Sequence, residues 1–134
     1  MKNLGLKFVR ASRLLKPAEF KRVFGNPIRS GDASFRVLAR SSEFDKHRLG
    51  MAVAKKACQK AVGRNRIKRV IRESFRVGLA NRQTDTALDF VVLPTAQAKD
   101  QSNEVLSDSL NAHWEKLTKK AAAAHTGQRI KDTH

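Results

Sequence analysis

The chain has 134 residues, 40% of them hydrophobic, which suits one domain with a modest core. Its 28 Lys and Arg against 12 Asp and Glu leave a net charge of +16, a self-repulsion that stability does not explain and a polyanionic partner does. No stretch approaches the roughly 20 apolar residues of a membrane span, and the single cysteine, Cys58, excludes an internal disulfide and fits a reducing compartment.

Met1–Leu15 is basic and lacks an apolar run of signal-peptide length. From Lys16 to Phe24 the pattern predicts a short helix, with Pro17 in its first turn and Phe20, Val23 and Phe24 on one face. Gly25-Asn26-Pro27 stops it. A short strand fits Ile28 to Ser30. Ser34 to Arg40 then alternates, Phe35, Val37 and Ala39 opposing Arg36, Leu38 and Arg40. A turn-like stretch, polar except for Phe44, covers 41–47. Leu49 to Lys55 alternates again, with a face of Gly50, Ala52 and Ala54 small enough to admit a close neighbour. A long helix is predicted from Ala61 to Val77, its apolar stripe formed by Ile67, Val70, Ile71 and Phe75, with Gly78 as its stop. After a polar loop at 80–87, Asp89 to Pro94 reads as a strand covered on both faces. The last helix starts near Ser102 or Asn103 and turns Leu106, Leu110, Trp114 and Leu117 inward. Residues 1–120 therefore form one domain of order αβββαβα, and 121–134 is expected to be a disordered basic tail.

No catalytic constellation emerges. The four histidines lie singly, the acids are scattered, and neither a nucleophile elbow nor a phosphate-cradling glycine loop is present. The positive signal is Lys55 to Arg76, where nine basic side chains face one acid, Glu73. Arg64, Lys68, Arg72 and Arg76 step around a broad helical face shared by Asn65 and Arg69, away from the apolar stripe, with Arg66 at its border. A solvated face normally mixes signs; this one is almost purely cationic. Arginine forks grip phosphates, and Asn65 can donate to a phosphate or read a base edge. Phe20 and Phe24, flanked by Lys21 and Arg22, are either core rings or stacking platforms for single-stranded RNA.

Ala61-Val62-Gly63-Arg64-Asn65-Arg66-Ile67-Lys68-Arg69, continued by Val70-Ile71-Arg72-Glu73-Ser74-Phe75-Arg76, resembles the arginine-rich "RNR" signature of the bacterial ribonuclease P protein subunit family. The Phe20/Phe24 helix, Gly50-Met51-Ala52-Val53-Ala54-Lys55-Lys56 and Asp89-Phe90-Val91-Val92 occur in the same order, so the likeness spans roughly residues 10–120. The resemblance implies an α/β (α+β) two-layer sandwich with a mixed four-stranded sheet and a left-handed βαβ crossover. It implies a protein without catalytic residues that assists ribonuclease P RNA in removing the 5′ leader of precursor tRNA. Mg²⁺ would be held mainly by RNA and substrate, in the cytoplasm, with no membrane and no obligate protein partner. Arg64, Asn65, Arg66, Lys68, Arg69 and Arg72, with Lys55 and Lys56, would face the catalytic RNA. Phe20, Phe24, Lys21, Arg36, Leu38, Ala52 and Ala54 would form the leader cleft. The chain contains no tyrosine, so aromatic contacts from the strand at 34–40 are not expected.

The rivals are a ribosomal or general RNA-binding protein, a DNA-binding module using residues 64–76, and a stand-alone nuclease. A strand and basic loop ahead of Gly63, in place of a short helix, argue against the second.

Overall fold

The alternating segments of the sequence become the two faces of a single sheet. The computed structural model describes residues 16–43, 46–80 and 86–132 (side chains at 80 and from 125 onward excepted). The readings made for Met1–Leu15, for Phe44 and for residues 81–85 lie outside these. Strands β1 (Ile28–Gly31), β2 (Phe35–Ser41), β3 (Arg48–Met51) and β4 (Leu88–Pro94) lie in the order β1-β2-β4-β3. The β1/β2 and β2/β4 pairs are antiparallel, whereas β3 runs parallel to β4. A parallel pair needs a long crossover, here supplied by helix α2 (Ala61–Phe75).

The inner face carries the main core. Phe35, Val37 and Ala39 of β2, Leu49 of β3, and Phe90 and Val92 of β4 pack against Ile67, Ile71 and Phe75 of α2. Leu106, Leu110, Trp114 and Leu117 of helix α3 (Asn103–Asp132) complete it. Helix α1 (Pro17–Gly25) lies on the opposite face, over β2 and β4, where Val23, Leu38 and Val91 form a second, smaller cluster. Strand β4 is thus buried on both sides, which is why its sequence is a continuous apolar run.

Helix ends follow local chemistry. Glu19 reaches back to accept the Lys16 N–H at 2.9 Å and closes the start of α1. The Ser102 hydroxyl accepts the Val105 N–H at 3.2 Å at the start of α3. The N-terminal half of α3 is also bound to the β1–β2 turn: His113 Nδ1 lies 2.6 Å from Ser30 Oγ, and its Nε2 lies 3.1 Å from Asp32 Oδ2. Partial burial pushes the Asp32 carboxyl upward. Hydrogen bonds from Ser109, the Phe35 and Ser34 N–H groups and His113 outweigh this and bring its pKa down to about 2.

Three boundaries depart from the sequence pattern. Strand β3 ends at Met51, not Lys55; one further bond runs from the Ala52 N–H to Val92 O (3.0 Å), and a turn closing on Ala54 O follows. Gly78 does not stop α2. The chain continues through a wider, π-type turn, Arg76–Ala80, in which Gly78 lies beside the Trp114 ring. Helix α3 does not end near Lys120 but runs to Asp132, with Ala121 buried in the main core and the alanines favouring helix throughout.

Candidate nucleic-acid interface

The inward stripe of α2 determines what points outward. With Ile67, Val70, Ile71, Ser74 and Phe75 buried, Asn65 and Arg69 stand exposed on the opposite side, and Lys68 and Arg72 are half-exposed beside them. None of these four side chains has a hydrogen bond or ion pair among the described residues. Lys55 and Lys56 sit exposed at the tip of the turn before α2, where the Ala57 and Cys58 N–H groups both bond to Ala54 O.

Arg64 and Arg66 have structural partners as well. Arg64 Nη1 donates to Cys58 O (3.0 Å) and Gln59 O (2.6 Å), binding the turn to the helix start. Arg66 donates to Asn103 Oδ1 (2.7 Å) and Lys99 O (3.2 Å), joining α2 to α3. A guanidinium has five N–H groups, so each retains donors for another ligand. The one acid of the segment, Glu73, is paired with Arg76, which holds its carboxyl below the usual carboxylate range. The remaining field of this face is positive.

The outer face of the sheet is half covered by α1, and the cover is pinned by charge. Asp89, 1% exposed, accepts Arg48 Nε at 2.9 Å and Nη2 at 3.0 Å, and Arg22 Nη1 at 3.3 Å. Arg48 Nη1 also donates to Glu19 at 2.7 Å, so Asp89 and Glu19 together hold the Arg48 guanidinium even further above its ordinary range. Arg22 bonds to Ser41 O (2.7 Å) and Arg40 to Arg22 O (2.8 Å). The sequence pattern did not single out this clasp; a lone carboxylate inside a doubly covered strand was its only signal, since a buried charge requires a partner.

The row Gly31–Arg36–Leu93, continued by Ala52, borders the covered half. Arg36 and Lys21 are exposed, Leu93 and Ala52 half-buried, and Ala54 exposed just beyond the end of β3. The two rings divide: Phe20 packs half-buried against the second cluster, whereas Phe24 is 44% exposed. Leu38 is a correction in part: at 6% exposure it lies mostly within the Val23/Val91 cluster and shows only an edge to the outer face beside Arg36, not an open floor. The strip ends, through Ala52 to Ala54, at the Lys55-Lys56 turn, so it meets the cationic approach to α2.

Among the described residues no three His, Cys, Asp or Glu side chains gather at metal-binding distance. No described helix is long and apolar enough to cross a membrane.

Comparison with known proteins agrees with this geometry. A family profile described as Ribonuclease P matches residues 8–118. The ribonuclease P protein component of Methylococcus capsulatus is 41% identical over 120 residues, covering 90% of this chain and 91% of the relative. That of Aliivibrio fischeri is 42% identical over 113 residues, covering 84% and 93%. The solved RNase P protein of Staphylococcus aureus superposes with a TM-score of 0.67 at 33% identity, covering 84% of this chain and 96% of that one. With its arginine-rich crossover helix, its strand order and these relatives, the chain belongs to the ribonuclease P protein family.

Proposed function

We propose that the chain, as a protein component of ribonuclease P, binds the catalytic RNA through α2 and the 5′ leader of precursor tRNA through the strip beside α1. In this way it promotes endonucleolytic 5′ maturation by the RNA. The observation that carries the reading is the cationic side of α2: Asn65, Lys68, Arg69 and Arg72 lack partners among the described residues, while the opposite side is fixed in the core. Arg64 and Arg66 use their spare donors on the same RNA. Lys55 and Lys56 extend the surface towards the strip, where Phe24 offers an exposed ring for stacking and Phe20 forms the wall. Lys21 and Arg36 neutralise leader phosphates over the small floor of Ala52 and Ala54.

The chain's own residues bind, orient and neutralise; the bond-breaking chemistry belongs to the RNA. Mg²⁺ is held in this reading mainly by the RNA and the substrate, whose phosphates suit a cation that keeps much of its water shell. A cytoplasmic setting without a membrane or an obligate protein partner accords with such a substrate. The test is precursor-tRNA cleavage at low Mg²⁺ by a bacterial ribonuclease P RNA, with and without the protein. Stimulation at the correct 5′ site, with none by protein alone, is expected. Tight RNA binding without stimulation would favour a general RNA-binding role.

A further inference from the structure

The sheet edge opposite β3 carries a second concentration of positive charge. Arg29 and Gly31 of β1, Arg36 and Leu38 of β2, and Lys116 of α3 line a hollow of about 230 Å³ with Ser30, and no carboxylate lines it. The Arg29, Arg36 and Lys116 side chains are exposed and have no partner among the described residues. One turn further along α3, Lys120 Nζ donates to Arg29 O at 2.9 Å. This fixes a fourth cation at the edge and occupies a backbone acceptor that an added strand would need. The nearby acids are engaged elsewhere: Asp32 with Ser109 and two backbone N–H groups, Glu115 with Lys119 at 3.0 Å.

Three uncompensated cations facing one concavity repel each other until an anion enters. Two arginine forks suit phosphate oxygens, and Gly31, lacking a side chain, leaves room for a sugar. The hollow also continues an existing path. From Ala52 through Leu93 and Arg36 to Gly31, an acid-free row crosses the outer face, about 15 Å at some 4.8 Å per strand.

We propose that this hollow is a further phosphate site for single-stranded RNA, which extends the grip on the leader from the α1 strip to the β1 edge through Arg29 and Lys116. The proposal rests on the leader reading above. Its test uses full-length protein assembled with ribonuclease P RNA, wild type and Arg29→Gln/Lys116→Gln, binding precursor tRNAs with leaders lengthened stepwise, between 50 and 200 mM salt. The thermal midpoint should be unchanged, since neither side chain has a partner to lose. Wild-type affinity is expected to rise with leader length to a plateau. The variant should match it on the shortest leaders and fall about tenfold behind on the longest, with a salt slope lower by about 1.4 for two phosphates. Identical length dependence in both proteins would overturn this site while leaving the leader reading intact. A wild type indifferent to leader length would overturn both. Equal loss at every length, mature tRNA included, would assign the hollow to another RNA and overturn the proposal.

Discussion

The two faces of the sheet bury their residues for opposite ends. On the inner face Phe90 lies 5.2 Å from Trp114 and 6.4 Å from Phe75, ring centre to ring centre, in an edge-to-face aromatic cluster. Among its buried polar groups, the Trp114 indole N–H donates to Ser74 Oγ at 2.9 Å. On the outer face, in the neighbouring position of the same strand, Asp89 is equally buried but carries a charge, shared with Arg48 and Arg22. Apolar packing stabilises without specifying one angle of approach. The bidentate Arg48–Asp89 pair joins β3 to β4, and by taking Glu19 and Arg22 as further partners it fixes α1 in one place, while desolvation offsets most of the attraction. The inner face therefore holds the domain together, and the outer face holds α1 beside an open strip.

That comparison can be broken first by stability. Phe90→Ala is expected to cost about 3–5 kcal/mol in denaturant unfolding. Asp89→Ala should cost a similar amount, about 3–5 kcal/mol, because Arg48 remains buried without its main partner. Replacing both Arg48 and Asp89 with apolar residues should recover most of the stability yet leave leader affinity reduced, since α1 loses its anchor. Full recovery of both would reduce the clasp to a stability element.

A smaller effect sharpens the contrast between buried and displayed charge. Arg69→Ala with Arg72→Ala should leave unfolding within about 0.5 kcal/mol of wild type. The salt dependence of binding to ribonuclease P RNA should nevertheless flatten by roughly 0.7–0.9 for each phosphate no longer neutralised. A large loss of stability with an unchanged slope would contradict the role given to this face.

The smallest effect concerns the attachment of α3. The Asp32 pKa is lowered from 3.8 to about 2 in the folded chain, so its contribution is present above the ordinary value and is lost as pH falls through that interval. Unfolding followed between pH 5 and pH 2 should show this component in the wild type. Asp32→Asn should remove that part of the acid dependence.

Much of the fold was legible because it depends on period alone. The alternation of β2, the continuous run of β4 and the stripe of α2 each follow from which side of an element must be dry. The cationic face was legible for the same reason: once Ile67, Val70, Ile71 and Phe75 point inward, Asn65, Arg69 and Arg72 have nowhere else to go. Boundaries were less legible. Gly78 has the composition of a stop, but the chain carries on through the π-type turn to Ala80. Residues 121–132 have the composition of a tail, but Ala121 finds a place in the core. Leu38 occupies the alternation position of an open floor, and only the placement of α1 covers it.

The sequence by itself determined the inward stripe of α2, the doubly covered run of β4 and how strongly positive the surface is, because these follow from periodicity and charge along one element. Tertiary structure alone decided which charges are spent and which remain available. Arg48 meets Asp89 across 41 positions, Arg66 meets Asn103 across 37, and Arg29, Arg36 and Lys116 share one hollow although they come from three elements. Coulombic and hydrogen-bond partnerships depend on separations of a few ångströms in space, and linear spacing does not encode them until the chain has folded.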